Sequence, residues 1–104
     1  MAQILDYQTA AGDFLKWLGL KNYAPKTIEG YRAHLGFFDR FCRERQKDDL
    51  RRITADDLKD YQKEVLAQKW CRGTKDKVLA RLKIFFGYLG RRQLILVDPA
   101  EGLT

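Results

Sequence analysis

Histidine, cysteine, proline and long apolar runs are all scarce in this sequence, and each scarcity removes a class of function. His34 is the only histidine, and Cys42 and Cys71 are the only cysteines, with no close spacing between them. No zinc or iron–sulfur ligand set can be assembled from these, so neither a metal nor another cofactor is expected. The two thiols read as small apolar core residues of a reduced protein. With no signal peptide and no apolar run long enough to cross a bilayer, the expectation is a cytoplasmic protein with no membrane partner. Only Pro25 and Pro99 interrupt the chain, and no segment alternates apolar and polar residues at the period of a half-buried strand. What remains is an all-α protein, and 104 residues make one domain, residues 1–104, around one core.

Charge is abundant and unevenly spread. The net charge is +6, and residues 68–93 hold eight bases against one acid, Asp76. Residues 21–52 hold nine bases and five acids, while residues 53–67 between the two blocks hold two bases and four acids. Two basic blocks separated by an acidic one favour an anionic partner.

Four helical patterns are legible. The first, over about residues 6–19, offers Phe14, Leu15, Trp17 and Leu18 and is expected to stop at Gly19. The second starts near Pro25, tolerated at a first helical position, and places Ile28, Tyr31, Leu35, Phe38 and Cys42 on one face. The third is announced by "ITADDL", where Thr54 can cap and Asp56 and Asp57 suit the first turn; Leu58, Tyr61, Val65 and Leu66 form its inner face. Those acids are therefore helix-start residues rather than a catalytic pair. The fourth, "GTKDKVLARLKIFFGYL", buries Val78, Leu79, Leu82, Phe85, Phe86 and Leu89. The expected architecture is a small orthogonal bundle of four main helices, with room for a short C-terminal helical turn in "VDPAEGLT".

The second and fourth helices echo one another: aligning Thr27 with Thr74 also matches Ala33 with Ala80, Leu35 with Leu82 and Phe38 with Phe85. With Leu35 and Leu82 as the centres of the buried faces, one flank of the second helix carries Thr27, Gly30 and His34, with Lys26 and Ala33 behind them. The same flank of the fourth carries Thr74, Lys77 and Arg81. Each stripe opens with a threonine in a first turn, where free N–H groups and the helix dipole favour phosphate. Small residues let a large partner approach the helix, and Lys26, His34, Lys77 and Arg81 can reach phosphates or base edges. The alternative is that these cations only solvate an outer face, as they do in a helical protein-interaction domain.

Four motifs in order add to this reading. They are P-x-T-x3-Y-x3-L-x2-F from Pro25 to Phe38, I-T-x2-D-L from Ile53 to Leu58, T-x4-L-x2-L-x2-F-F from Thr74 to Phe86, and D-P-A-x-G-L from Asp98 to Leu103. Over residues 8–104 the chain resembles the N-terminal core-binding, SAM-like domain of tyrosine recombinases, the phage integrase superfamily. The resemblance implies a domain that clamps one side of a recombination site with its second and fourth helices against the major groove. The DNA-binding positions it implies are Lys26, Thr27, Gly30, His34, Thr74, Lys75, Lys77 and Arg81. Departures are Ala24, where family members often place a capping Ser, Gly30, where a polar residue is frequent, and the acid Asp76.

The same resemblance implies that residues 98–104 begin a linker to a catalytic domain, and that strand cleavage and rejoining belong there, so this fragment is expected to be no enzyme. Implied partners are double-stranded DNA, the chain's own catalytic domain, and recombinase protomers in a synaptic tetramer, in a bacterial, archaeal or phage-encoded setting.

Overall fold

The start and stop signals in the sequence resolve into four helices in a computed structural model that describes residues 4–102. They are α1 (Tyr7–Leu20), α2 (Pro25–Glu44), α3 (Ala55–Leu66) and α4 (Arg72–Arg91), with one 3-10 turn, Leu50–Arg52, leading into α3. Among the described residues there is no strand. Helix α1 is capped by the Asp6 carboxylate, which accepts from the Thr9 N–H. Helix α2 opens on Pro25 and, with Ala24 before it, has no side-chain cap. Helix α3 has the full capping box: the Thr54 hydroxyl accepts from the Asp57 N–H and the Asp57 carboxylate accepts from the Thr54 N–H.

The helix ends differ from the sequence expectation. Helix α1 continues through Gly19 to Leu20, and Asn22 (φ 65°) turns the chain. The Tyr23 N–H reaches back to Leu18 and that of Asn22 to Gly19, the paired bonds of a Schellman ending. Gln46 (φ 58°) ends α2 and Gln93 (φ 59°) ends α4 in the same way, whereas no described glycine has positive φ. Amide side chains take the role that glycine usually fills.

The core is aromatic. Phe14 of α1 is fully buried and packs at 5.3 Å from Phe85, 5.7 Å from Tyr31 and 5.1 Å from Tyr88. A second cluster surrounds Phe38, with Tyr61 at 5.2 Å and Phe86 at 5.6 Å, and the Phe85–Phe86 contact at 5.6 Å joins the two. Of the expected core residues, Tyr31, Leu35, Phe38, Leu58, Tyr61, Val65 and the α4 set are buried. Leu66 is not; at 53% exposure it lies at the end of α3, beyond the face that Val65 still covers. Cys42 is buried but Cys71 is exposed, because Cys71 is the N-cap of α4 rather than part of its apolar face.

After α4 the chain folds back, burying Ile95, Pro99 and Ala100. Asp98 closes a turn by accepting from the Ala100 N–H, with a further backbone bond from Glu101, and residues 99–102 stay a turn rather than a helix. Leu103 and Thr104 lie outside the described residues. The α2–α4 echo reappears as burial: Leu35, Leu82, Phe38 and Phe85 are buried, and Ala33 and Ala80 are exposed.

Candidate nucleic-acid interface

The two flanks read from α2 and α4 come together at one point. Arg81 Nη1 lies 3.0 Å from His34 Nδ1, positions that correspond under the Thr27–Thr74 alignment. The Arg81 guanidinium carbon sits 4.7 Å from the Tyr31 ring centroid, a cation–π contact. Behind it, Gly30 presents bare backbone: a β-carbon there would stand 2.7 Å from Arg81 Nη1. The smallness of Gly30 thus admits an arginine of the same chain, where the sequence suggested only approach to an outside partner.

An aromatic row continues from this centre. His34 stacks on Phe37 with ring centroids 6.1 Å apart, and Phe37 lies 5.1 Å from Trp70, which precedes α4. Tyr31, Phe37 and Trp70 were not among the candidate positions. Phe37 could have been found, since it lies seven residues, about two turns, beyond Gly30 on the same flank. Trp70 sits in a connection with no periodicity and gave no signal.

Burial, with the charges of Arg81 and Lys77, lowers the His34 pKa below the ordinary histidine value. Lys26 and Lys77 are exposed and make no hydrogen bond or ion pair with described residues. Two candidates are engaged elsewhere. Lys75 donates from Nζ to the Leu66 carbonyl at 2.7 Å, satisfying a free carbonyl at the end of α3. Thr74 Oγ1 lies 3.1 Å from Cys71 Sγ, a bond that lowers the Cys71 thiol pKa. Thr27 and Thr74 each fall in the first turn of their helix.

The other end of α4 has a different occupation. Arg91 and Lys21 lie over the Trp17 ring at 5.8 and 5.6 Å, and Arg92 lies 5.5 Å from the Tyr88 centroid. The Arg91–Trp17 contact crosses from α4 to α1, as does the contact of the Trp17 and Tyr88 rings at 5.2 Å, whereas Lys21 and Arg92 each cover a ring of the helix they cap. No group of metal-ligating side chains occurs among the described residues, and no described helix is long and apolar enough to cross a membrane.

Comparison with known proteins agrees with this architecture. Residues 11–93 match the family model described as phage integrase, N-terminal SAM-like domain. A tyrosine recombinase XerC of Leptospira interrogans is 33% identical over 97 residues, covering 90% of this chain and 30% of that protein. The XerC of Bacillus pumilus is 30% identical over 87 residues, covering 83% and 28%. The chain therefore spans under a third of the length of these curated relatives. A crystal structure of the N-terminal domain of a phage integrase/site-specific recombinase from Haloarcula marismortui superposes with a TM-score of 0.82 at 21% identity, over 90% of this chain and 89% of that one. By the match over residues 11–93, the chain belongs to the phage integrase N-terminal SAM-like domain family.

Proposed function

We propose that this domain binds double-stranded DNA at a recombination site through the flank shared by α2 and α4, as the clamp-forming part of a tyrosine recombinase. The observation that carries this reading is the convergence of the two stripes: Gly30, His34 and Arg81 meet at one place, on helices that also carry Lys26 and Lys77, exposed and unpaired among the described residues. Thr27 and Thr74 add first-turn N–H groups suited to phosphate. Phosphate neutralisation supplies most of the affinity, and it is salt-dependent because bound counterions are released. A titration of labelled duplex at several salt concentrations tests it. Binding should weaken steeply as salt rises, and Lys77→Ala should reduce the log–log slope by about 0.9. A flat salt response contradicts the proposal.

Strand cleavage and rejoining are proposed to belong to a catalytic portion following residues 98–104. Tyr7, Tyr31 and Tyr61 are poor nucleophiles by environment. Burial pushes the Tyr7 hydroxyl up to about 12 and raises those of Tyr31 and Tyr61. Incubation with a nicked suicide substrate should leave no protein–DNA adduct; an adduct mapped to any of these tyrosines overturns the division of labour.

A protein-contact role is favoured at a different place. Leu96 is wholly exposed and Val97 is 76% exposed, beside an open groove of about 990 Å³ that Ile53, Ala55, Leu94 and Pro99 help to line. This is the surface proposed to meet the rest of a recombinase, in the same chain or in a neighbouring protomer of a synaptic complex.

A further inference from the structure

Arg81 is held in a way that the other cations of the two flanks are not. Its guanidinium carbon lies over the Tyr31 ring, its Nη1 is tied to His34, and its Nη1, Cζ and Nη2 atoms lie against the bare backbone of Gly30. Arginine carries five N–H donors, and the bond to His34 uses one of them, so the Nε and Nη2 edge can still donate two parallel bonds. That planar fork matches the O6 and N7 acceptors of guanine in the major groove. A fork fixed in advance loses little rotamer freedom on contact, unlike the exposed Lys26 and Lys77. We infer that Arg81 is the specificity-determining residue of the interface, reading a guanine edge, and that His34 and Gly30 are its positioning residues. The inference rests on the DNA-binding reading above.

His34 makes the arrangement sensitive to pH. Arginine only donates, so Nδ1 must offer a lone pair, and the ring is neutral with its proton on Nε2. The charged groups facing it are Arg81 and Lys77, both from α4. On its own helix it meets the uncharged ring of Phe37, and Tyr31, whose hydroxyl pKa burial raises so that it stays uncharged, shares Arg81 with it. Protonation turns the acceptor into a donor and sets a cation against Arg81. The fork is then released while the flank gains one charge. Preference for guanine should fall below the histidine range as affinity for arbitrary duplex rises.

The test is selection from a randomised duplex pool by the 104-residue chain at about pH 7.5 and about pH 5, the low end of the histidine window being needed because the His34 pKa is lowered, followed by titration of single duplexes. At the higher pH one position should prefer guanine by roughly fivefold to a hundredfold, and at the lower pH that preference should shrink. Arg81→Lys should abolish it while salt-dependent binding remains. Gly30→Ala should also abolish it, with no loss in melting temperature, because alanine is the better helix former and the displaced group is the end of a flexible side chain. His34→Asn, whose Oδ1 can accept in place of Nδ1, should keep the preference and remove its pH dependence. Salt-dependent binding with no guanine preference, or one that survives Arg81→Lys, overturns this inference and leaves the proposed function standing. Absence of salt-dependent binding overturns both.

Discussion

At Tyr61 the packing leaves one atom uncompensated. The ring fits between Phe38 and Phe41 at 5.2 and 5.1 Å, yet the hydroxyl is buried with no hydrogen-bond partner among the described residues. A buried unpaired oxygen costs about 1–3 kcal/mol, so Tyr61→Phe should hold or raise stability in a denaturant titration; a clear loss would show that the hydroxyl has a partner. The two cysteines separate as sharply. Burial pushes Cys42 up to about 12, while Cys71 is exposed. A thiol reagent should therefore label one site on the native chain, Cys71, and both after unfolding. Equal labelling of the native chain would contradict the burial of Cys42. The sequence showed Cys42 at a helical core spacing, but Cys71 has no such spacing and only its place before α4 explains its exposure. Gly30 is similar: periodicity put it on the right flank, but that an arginine 51 residues later fills the space depends on how α2 and α4 cross.

Helices were legible at the element scale because their core faces repeat at the helical period, and their ends were less so. Pro25 and Thr54 were readable as starts. The left-handed ends at Gln46 and Gln93 were not, since glutamine carries no bias toward that conformation; Asn22, whose type does favour it, is masked in the sequence by the nearby Gly19. Replacing Gln93 with Gly should stabilise the fold by roughly 0.5–1 kcal/mol by relieving the left-handed backbone; a loss of melting temperature would mean that the Gln93 side chain contributes more than the strain it incurs. The α3 start gives a pH dependence. Burial raises the Asp57 pKa, but the Thr54 N–H and Lys47, at 2.9 Å from the carboxylate, outweigh it and the net pKa is lowered. The folded state thus holds the ionised form more strongly than the unfolded chain does. This contribution is fully present above the usual aspartate value of 3.8 and is lost as pH falls through the lower folded value. Asp57→Asn should flatten the acid side of the stability curve below that value; an unchanged acid limb would contradict the capping role.

Across the whole molecule, the cations divide by their place in the fold rather than by the basic block of sequence they come from. At the α1 end of the bundle, Lys21, Arg91 and Arg92 lie over Trp17 and Tyr88 and serve cohesion. At the α2–α4 flank, Lys77 has no partner among the described residues, and Arg81 is held by His34 with its Nε–Nη2 edge unbonded among them. Charge counting could not separate these groups; helical phase separated the flank, and the ring contacts at Trp17 and Tyr88 settled the rest. The most direct measurement compares two double variants on folded protein at one salt concentration. Lys77→Ala with Arg81→Ala should weaken duplex binding by about 1–3 kcal/mol while leaving the Leu82 and Phe85 face packed. Arg91→Ala with Arg92→Ala should lower the melting temperature and change binding less. If the Arg91 and Arg92 variant loses more DNA affinity than the Lys77 and Arg81 variant, the α2–α4 flank is not the DNA-binding face.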